Sequence, residues 1–116
     1  MVTSVLNYGR SGVHDWVMQR FSALVLAAYT VVMVGWLLVN GEALTFAQWR
    51  EFMGQTWVRI FSLLAVLSLA GHAWIGLWTV ATDYLKVNWV RVAFLATIAV
   101  SLFVYVVWAI SILWGF

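Results

Sequence analysis

Three stretches without a single charged side chain, residues 21–41, 60–82 and 92–116, constrain this chain more than anything else in it. Each reaches or exceeds the roughly 20 residues that an α-helix needs to cross about 30 Å of hydrocarbon. The apolar residues do not alternate, and the runs are too long for barrel strands of about ten residues. The reading is an all-α integral membrane protein with three transmembrane helices, at about 16–40, 58–84 and 89–115 of the 116 residues. No repeat or linker divides it, so residues 1–116 are read as a single transmembrane domain. Composition agrees: 66% of the residues are apolar and only 9% are charged, where a soluble domain carries roughly 25%. So small a charge supply cannot cover a water-facing surface, and lipid must act as solvent. The chain has no Cys, which excludes disulfides, iron–sulfur ligation and cysteine nucleophiles within it. It has no Pro to kink a long helix. Its few Lys and Arg form no cluster, so it has no nucleic-acid surface. The stretch before the first apolar run is not read as a signal peptide, because that run is too long and no clear cleavage site follows.

The two connections differ. Between the first and second spans, Thr45-Phe-Ala-Gln48 fits the capping-box pattern, in which the Thr hydroxyl and the Gln amide satisfy free backbone donors. Trp49, Phe52, Met53 and Trp57 recur at helical spacing, while Arg50 and Glu51 can face water. A short amphipathic helix over about 46–57, lying at the membrane surface, is expected. The second connection is brief and carries Asp83, Lys86 and Arg91. With three spans, Arg10, Arg20, Lys86 and Arg91 share one side, against Arg50 and Arg59 on the other. The excess puts the N-terminus in the cytoplasm and the C-terminus across the membrane. Trp16, Trp49, Trp57, Trp89 and Trp114 fall near the expected interfaces, where amphipathic rings are favoured.

On the second span, Ala65, Ser68, His72, Gly76, Thr79 and Asp83 share an arc of roughly 80°. Small and polar faces of this kind join helices in lipid, so packing against other helices is expected, some of them in a partner chain. The third span has a weaker stripe in Ala93, Thr97, Ser111 and Gly115. His72 stands near mid-span, where an ionisable side chain is costly without a partner. A neutral imidazole there suits an axial haem ligand, with Gly71, Ala73 and Gly76 leaving room for a bulky group. The other reading is a histidine hydrogen-bonded to a neighbouring helix. A zinc-type site is disfavoured, since no other His, Cys or carboxylate lies at that depth. Asp83 lies eleven residues beyond His72, about 20° away in rotation and about 16 Å along the axis. Tyr84 beside it can hydrogen-bond a carbonyl of a lipid-soluble ligand, and Asp83 can orient it or move protons. The competing readings are an aromatic-belt Tyr and a helix-end Asp. Arg20 suits a carboxylate such as a haem propionate, or simply snorkels to the headgroups. His14 and Asp15 ahead of the first span read as a subunit contact.

Gly12-Val13-His14-Asp15-Trp16, then Arg20, then His72-Ala73-Trp74-Ile75-Gly76 with Thr82-Asp83-Tyr84, resembles the D-type hydrophobic membrane anchor of bacterial succinate dehydrogenase, of the enterobacterial kind. The resemblance covers essentially the whole chain, and the pairing of a mid-span His with Asp-Tyr eleven residues on is its most specific part. It implies a chain that is not an enzyme alone but serves respiratory complex II, passing electrons from succinate to ubiquinone. A C-type cytochrome b anchor subunit would share one haem b with it and, with it, hold an iron–sulfur subunit and a flavoprotein subunit to the cytoplasmic face of the inner membrane. By resemblance, His72 matches an axial ligand of the haem iron, Arg20 a propionate partner, Tyr84 the ubiquinone hydrogen-bond donor, and Asp83 its neighbour in the quinone site. Other readings of the chain are a fumarate reductase anchor, whose haem-free members lack a mid-span His, and a haem-free structural subunit.

Overall fold

A computed structural model describes residues 12–115. Four helices follow one another: α1 over Gly12–Asn40, α2 over Phe46–Met53, α3 over Thr56–Tyr84 and α4 over Asn88–Trp114. No strand occurs among the described residues. Helices α1, α3 and α4 are each long and apolar enough to cross a membrane, as the charge-free runs require. The longest dimension is 53 Å. The three spans are connected in antiparallel order, and α3 is central: it packs against both α1 and α4.

Polar and small side chains hold α1 to α3. Tyr29 Oη and Ser62 Oγ are 2.7 Å apart, and Ser22 Oγ lies 3.0 Å from His72 Nδ1. Tyr29 also meets Phe61 edge to face, with centroids 5.1 Å apart. Ser22, Ser62 and Ala65 are buried at this contact. Their small volumes let the backbones approach, which is how helices associate where lipid already satisfies apolar surface. Lateral apolar residues such as Leu24, Val31, Leu38, Phe103 and Trp108 stay exposed, as lipid-facing side chains can.

The apolar core gathers at the α2 end. Phe52, Met53, Val58 and Leu113 are buried together, with Met33, Trp36, Trp49 and Leu63 packed around them. Trp36 stacks on Phe52 at 4.2 Å. The capping box forms as expected: Gln48 N–H donates to Thr45 Oγ1 and Thr45 N–H donates to Gln48 Oε1. The surface helix is shorter than the expected 46–57, however. It ends at Met53 because Gly54 closes the last turn, its N–H donating to Arg50 O. Extended Gln55 then redirects the chain, and Trp57 belongs to α3. Nor does α2 only rest on a surface, since Phe52 and Met53 plug the end of the bundle. Arg50 and Glu51 do face outward.

The α3–α4 turn is locked by one side chain. Arg91 donates from Nη1 to Leu85 O at 3.1 Å and from Nη2 to Asn88 Oδ1 at 2.6 Å. This satisfies a carbonyl left free where α3 ends. Arg91→Ala is expected to destabilise the turn by about 1–2 kcal/mol. Amide exchange over residues 85–91 would quicken several-fold while the spans stay protected; unchanged exchange would show that the turn is held by other contacts.

Candidate functional site

His72 sits close to the middle of α3 and is half-buried. Among the described residues the ring bonds no backbone carbonyl. It meets the hydroxyl of Ser22 on α1, which itself donates to Gln19 O at 3.1 Å. Nε2, the other ring nitrogen, makes no hydrogen bond among the described residues. Gly76, one turn further on, faces the same helix: a Cβ there would lie 3.7 Å from Gln19 Nε2. So the small and polar stripe of α3 is covered along Ala65, His72 and Gly76 by this chain's own α1. Only its far end, Thr79 and Asp83, stays exposed. The weaker stripe of α4 is exposed at Ala93, Thr97, Ser111 and Gly115, and Thr97 and Ser111 bond to carbonyls of their own helix.

Beside the Ser22–His72 pair runs an apolar groove of about 220 Å³, lined by Phe21 and Ser22 from α1 and by Ser68, Gly71 and Ile75 from α3. A Cβ on Gly71 would meet nothing within 4 Å, so the space next to His72 is open. No group of three His, Cys, Asp or Glu side chains capable of holding a metal ion occurs among the described residues. The donor set therefore does not fit a metal ion held by this chain alone. What this chain offers here is one imidazole nitrogen, Nε2, that makes no hydrogen bond among the described residues. A larger cleft of about 520 Å³, lined by Arg50, Glu51, Gln55 and Arg59, opens at the α2 end, far from His72.

Asp83 and Tyr84 close the last turn of α3, and both are exposed. Tyr84 is 77% exposed, which leaves its hydroxyl available to a ligand or a partner. Asp83 stands about 16 Å along the axis from His72, as the spacing requires. Arg20 does not join His72. Ser22 faces α3, and Arg20, two residues earlier, points roughly 160° away around α1. Its guanidinium lies over the Trp16 ring at 5.4 Å. His14 and Asp15 do not precede the helix but form its first turn, their side chains 3.4 Å apart. Helix geometry begins before the chain enters lipid, so hydropathy marks the span and not the helix start. Arg10 lies outside the described residues.

Sequence reasoning did not single out Gln19, Ser22 and Tyr29. Their signal was present: the three polar side chains recur within about 80° on an otherwise apolar helix, a face made to meet the stripe of α3.

Fold and site together define a three-span membrane protein with an imidazole at mid-depth and a polar pair at the end of the same helix. The profile of the succinate dehydrogenase/fumarate reductase transmembrane subunit family matches residues 3–108, and the chain belongs to that family. It is also 38% identical over 105 residues to the succinate dehydrogenase hydrophobic membrane anchor subunit of Coxiella burnetii (strain RSA 493 / Nine Mile phase I), covering 90% of each chain.

Proposed function

We propose that this chain anchors a succinate dehydrogenase in the bacterial inner membrane, shares one haem b with a second, C-type anchor subunit, and supplies part of the site that reduces ubiquinone. His72 carries the reading, because a half-buried mid-span imidazole with one nitrogen engaged and the other free suits an axial ligand. The haem, when bound, would offer a one-electron centre within the membrane. His72 would hold its iron from this side, while Arg20, which by resemblance matches a propionate partner, lies over Trp16 on another face of α1 and would reach a propionate only by leaving that ring. Tyr84 would donate its hydroxyl to a quinone carbonyl oxygen, and Asp83 beside it would orient the quinone or pass protons from the aqueous edge. That edge is the cytoplasmic one by the distribution of Lys and Arg, so the N-terminus lies in the cytoplasm and the C-terminus in the periplasm. A flavoprotein subunit and an iron–sulfur subunit would dock there, since a chain without Cys holds no cluster of its own.

Removing the chain from its own cell tests the anchoring. Succinate–ubiquinone reductase activity is expected to leave the membrane fraction, with succinate-dependent dye reduction recovered as soluble protein. Re-expression of the chain should restore both to the membrane. Full quinone reduction in membranes lacking the chain would contradict the proposal.

A further inference from the structure

The Ser22–His72 contact contains a choice of proton that the surrounding chemistry decides. Ser22 has one hydroxyl hydrogen and is 4% exposed. Gln19 O lies 3.1 Å from its oxygen in donor geometry, and His72 Nδ1 lies at 3.0 Å. If the hydroxyl donates to the carbonyl, it accepts from Nδ1–H, and Nε2 keeps its lone pair. The reverse arrangement would turn the hydroxyl toward Nδ1 and place the ring proton on Nε2. That N–H would then be a donor at membrane depth that, in the observed arrangement, bonds no acceptor among the described residues, a costly state.

We propose that Ser22 is a positioning residue for His72: its hydroxyl accepts the Nδ1 proton, so the imidazole keeps the tautomer whose Nε2 lone pair is available to iron. The inference rests on the haem reading above and deepens it. A ligating histidine usually donates its other ring N–H to a fixed acceptor, which sets the ring orientation and raises the basicity of the ligating nitrogen. Here the acceptor is supplied by α1 of the same chain. One contact thus joins the helix pair and prepares the ligand, so the ligand is poised before any partner chain arrives.

The test uses the assembled, detergent-solubilised complex, with Ser22→Ala and Ser22→Thr beside wild type. The readouts are the haem midpoint potential, the low-spin ferric electron paramagnetic resonance signal, and the rate of haem transfer to apomyoglobin. Losing the acceptor weakens donation to ferric iron. Ser22→Ala should therefore raise the potential, shift the resonance, and weaken haem retention roughly 10- to 100-fold. Ser22→Thr keeps the hydroxyl and should return all three toward wild type, which a simple packing role for Ser22 would not demand. Wild-type values of all three in Ser22→Ala would overturn the Ser22 assignment while leaving the haem reading intact. A wild-type complex without haem would overturn both, and the two failures are thereby told apart.

Discussion

Tyr84→Phe is expected to lower quinone reduction by roughly 10- to 100-fold while succinate-dependent dye reduction stays at the wild-type level. The size follows from removing one hydrogen bond to a group on which charge develops, worth about 1.5–3 kcal/mol. The selectivity follows from where the residue stands. Tyr84 is the last residue of α3, is 77% exposed, and makes no hydrogen bond within the described chain. Phe keeps the ring and loses only the hydroxyl, so neither the helix nor the neighbouring turn has reason to change. Arg91, not Tyr84, holds that turn. Parallel assays of the purified complex with ubiquinone and with an artificial dye decide the matter. Equal loss of both activities would place Tyr84 in assembly instead.

His72→Ala is expected to leave the chain folded and the complex assembled, but with haem lost or its ligation altered. The α1–α3 contact would keep the Tyr29–Ser62 bond and the buried Ala65. Ser22 would keep its bond to Gln19 O, so the substitution strands no buried donor there. The fold should therefore survive a change that removes the only imidazole at this depth. Haem content per complex, measured after purification, is the readout. A full complement of haem with unchanged ligation would show that iron takes its nitrogens elsewhere.

Much of the architecture was legible because charge and hydropathy act directly on where a chain meets lipid. The second and third spans, expected at about 58–84 and 89–115, form as Thr56–Tyr84 and Asn88–Trp114. The capping box at Thr45 was legible because it is a local arrangement of side chain and backbone, complete within four residues. The end of α2 was misjudged, since helical spacing continued through Trp57 while the backbone turned at Gly54. His72, Asp83 and Tyr84 were visible as polar residues on an apolar helix. Their surroundings were not. Which face of α1 would meet α3 depends on how two helices interdigitate, and no single-helix pattern contains that. The partner of His72 was for this reason missed, while the stripe of α3 expected to pack against other helices does so in part against α1. Arg20 shares a membrane level with the site in sequence, and its rotation about α1, which lays it over Trp16, is likewise set by packing that no single-helix pattern contains.

His72 is proposed to give a nitrogen ligand to a haem shared across the membrane subunits. The most direct measurement is the reduced-minus-oxidised visible spectrum of the purified complex, wild type beside His72→Ala. A b-type spectrum is expected in the wild type, lost or shifted in the variant at equal subunit content. A wild-type complex with no haem spectrum, or a variant spectrum identical to wild type, would contradict the proposal and leave His72 as the polar clasp between α1 and α3.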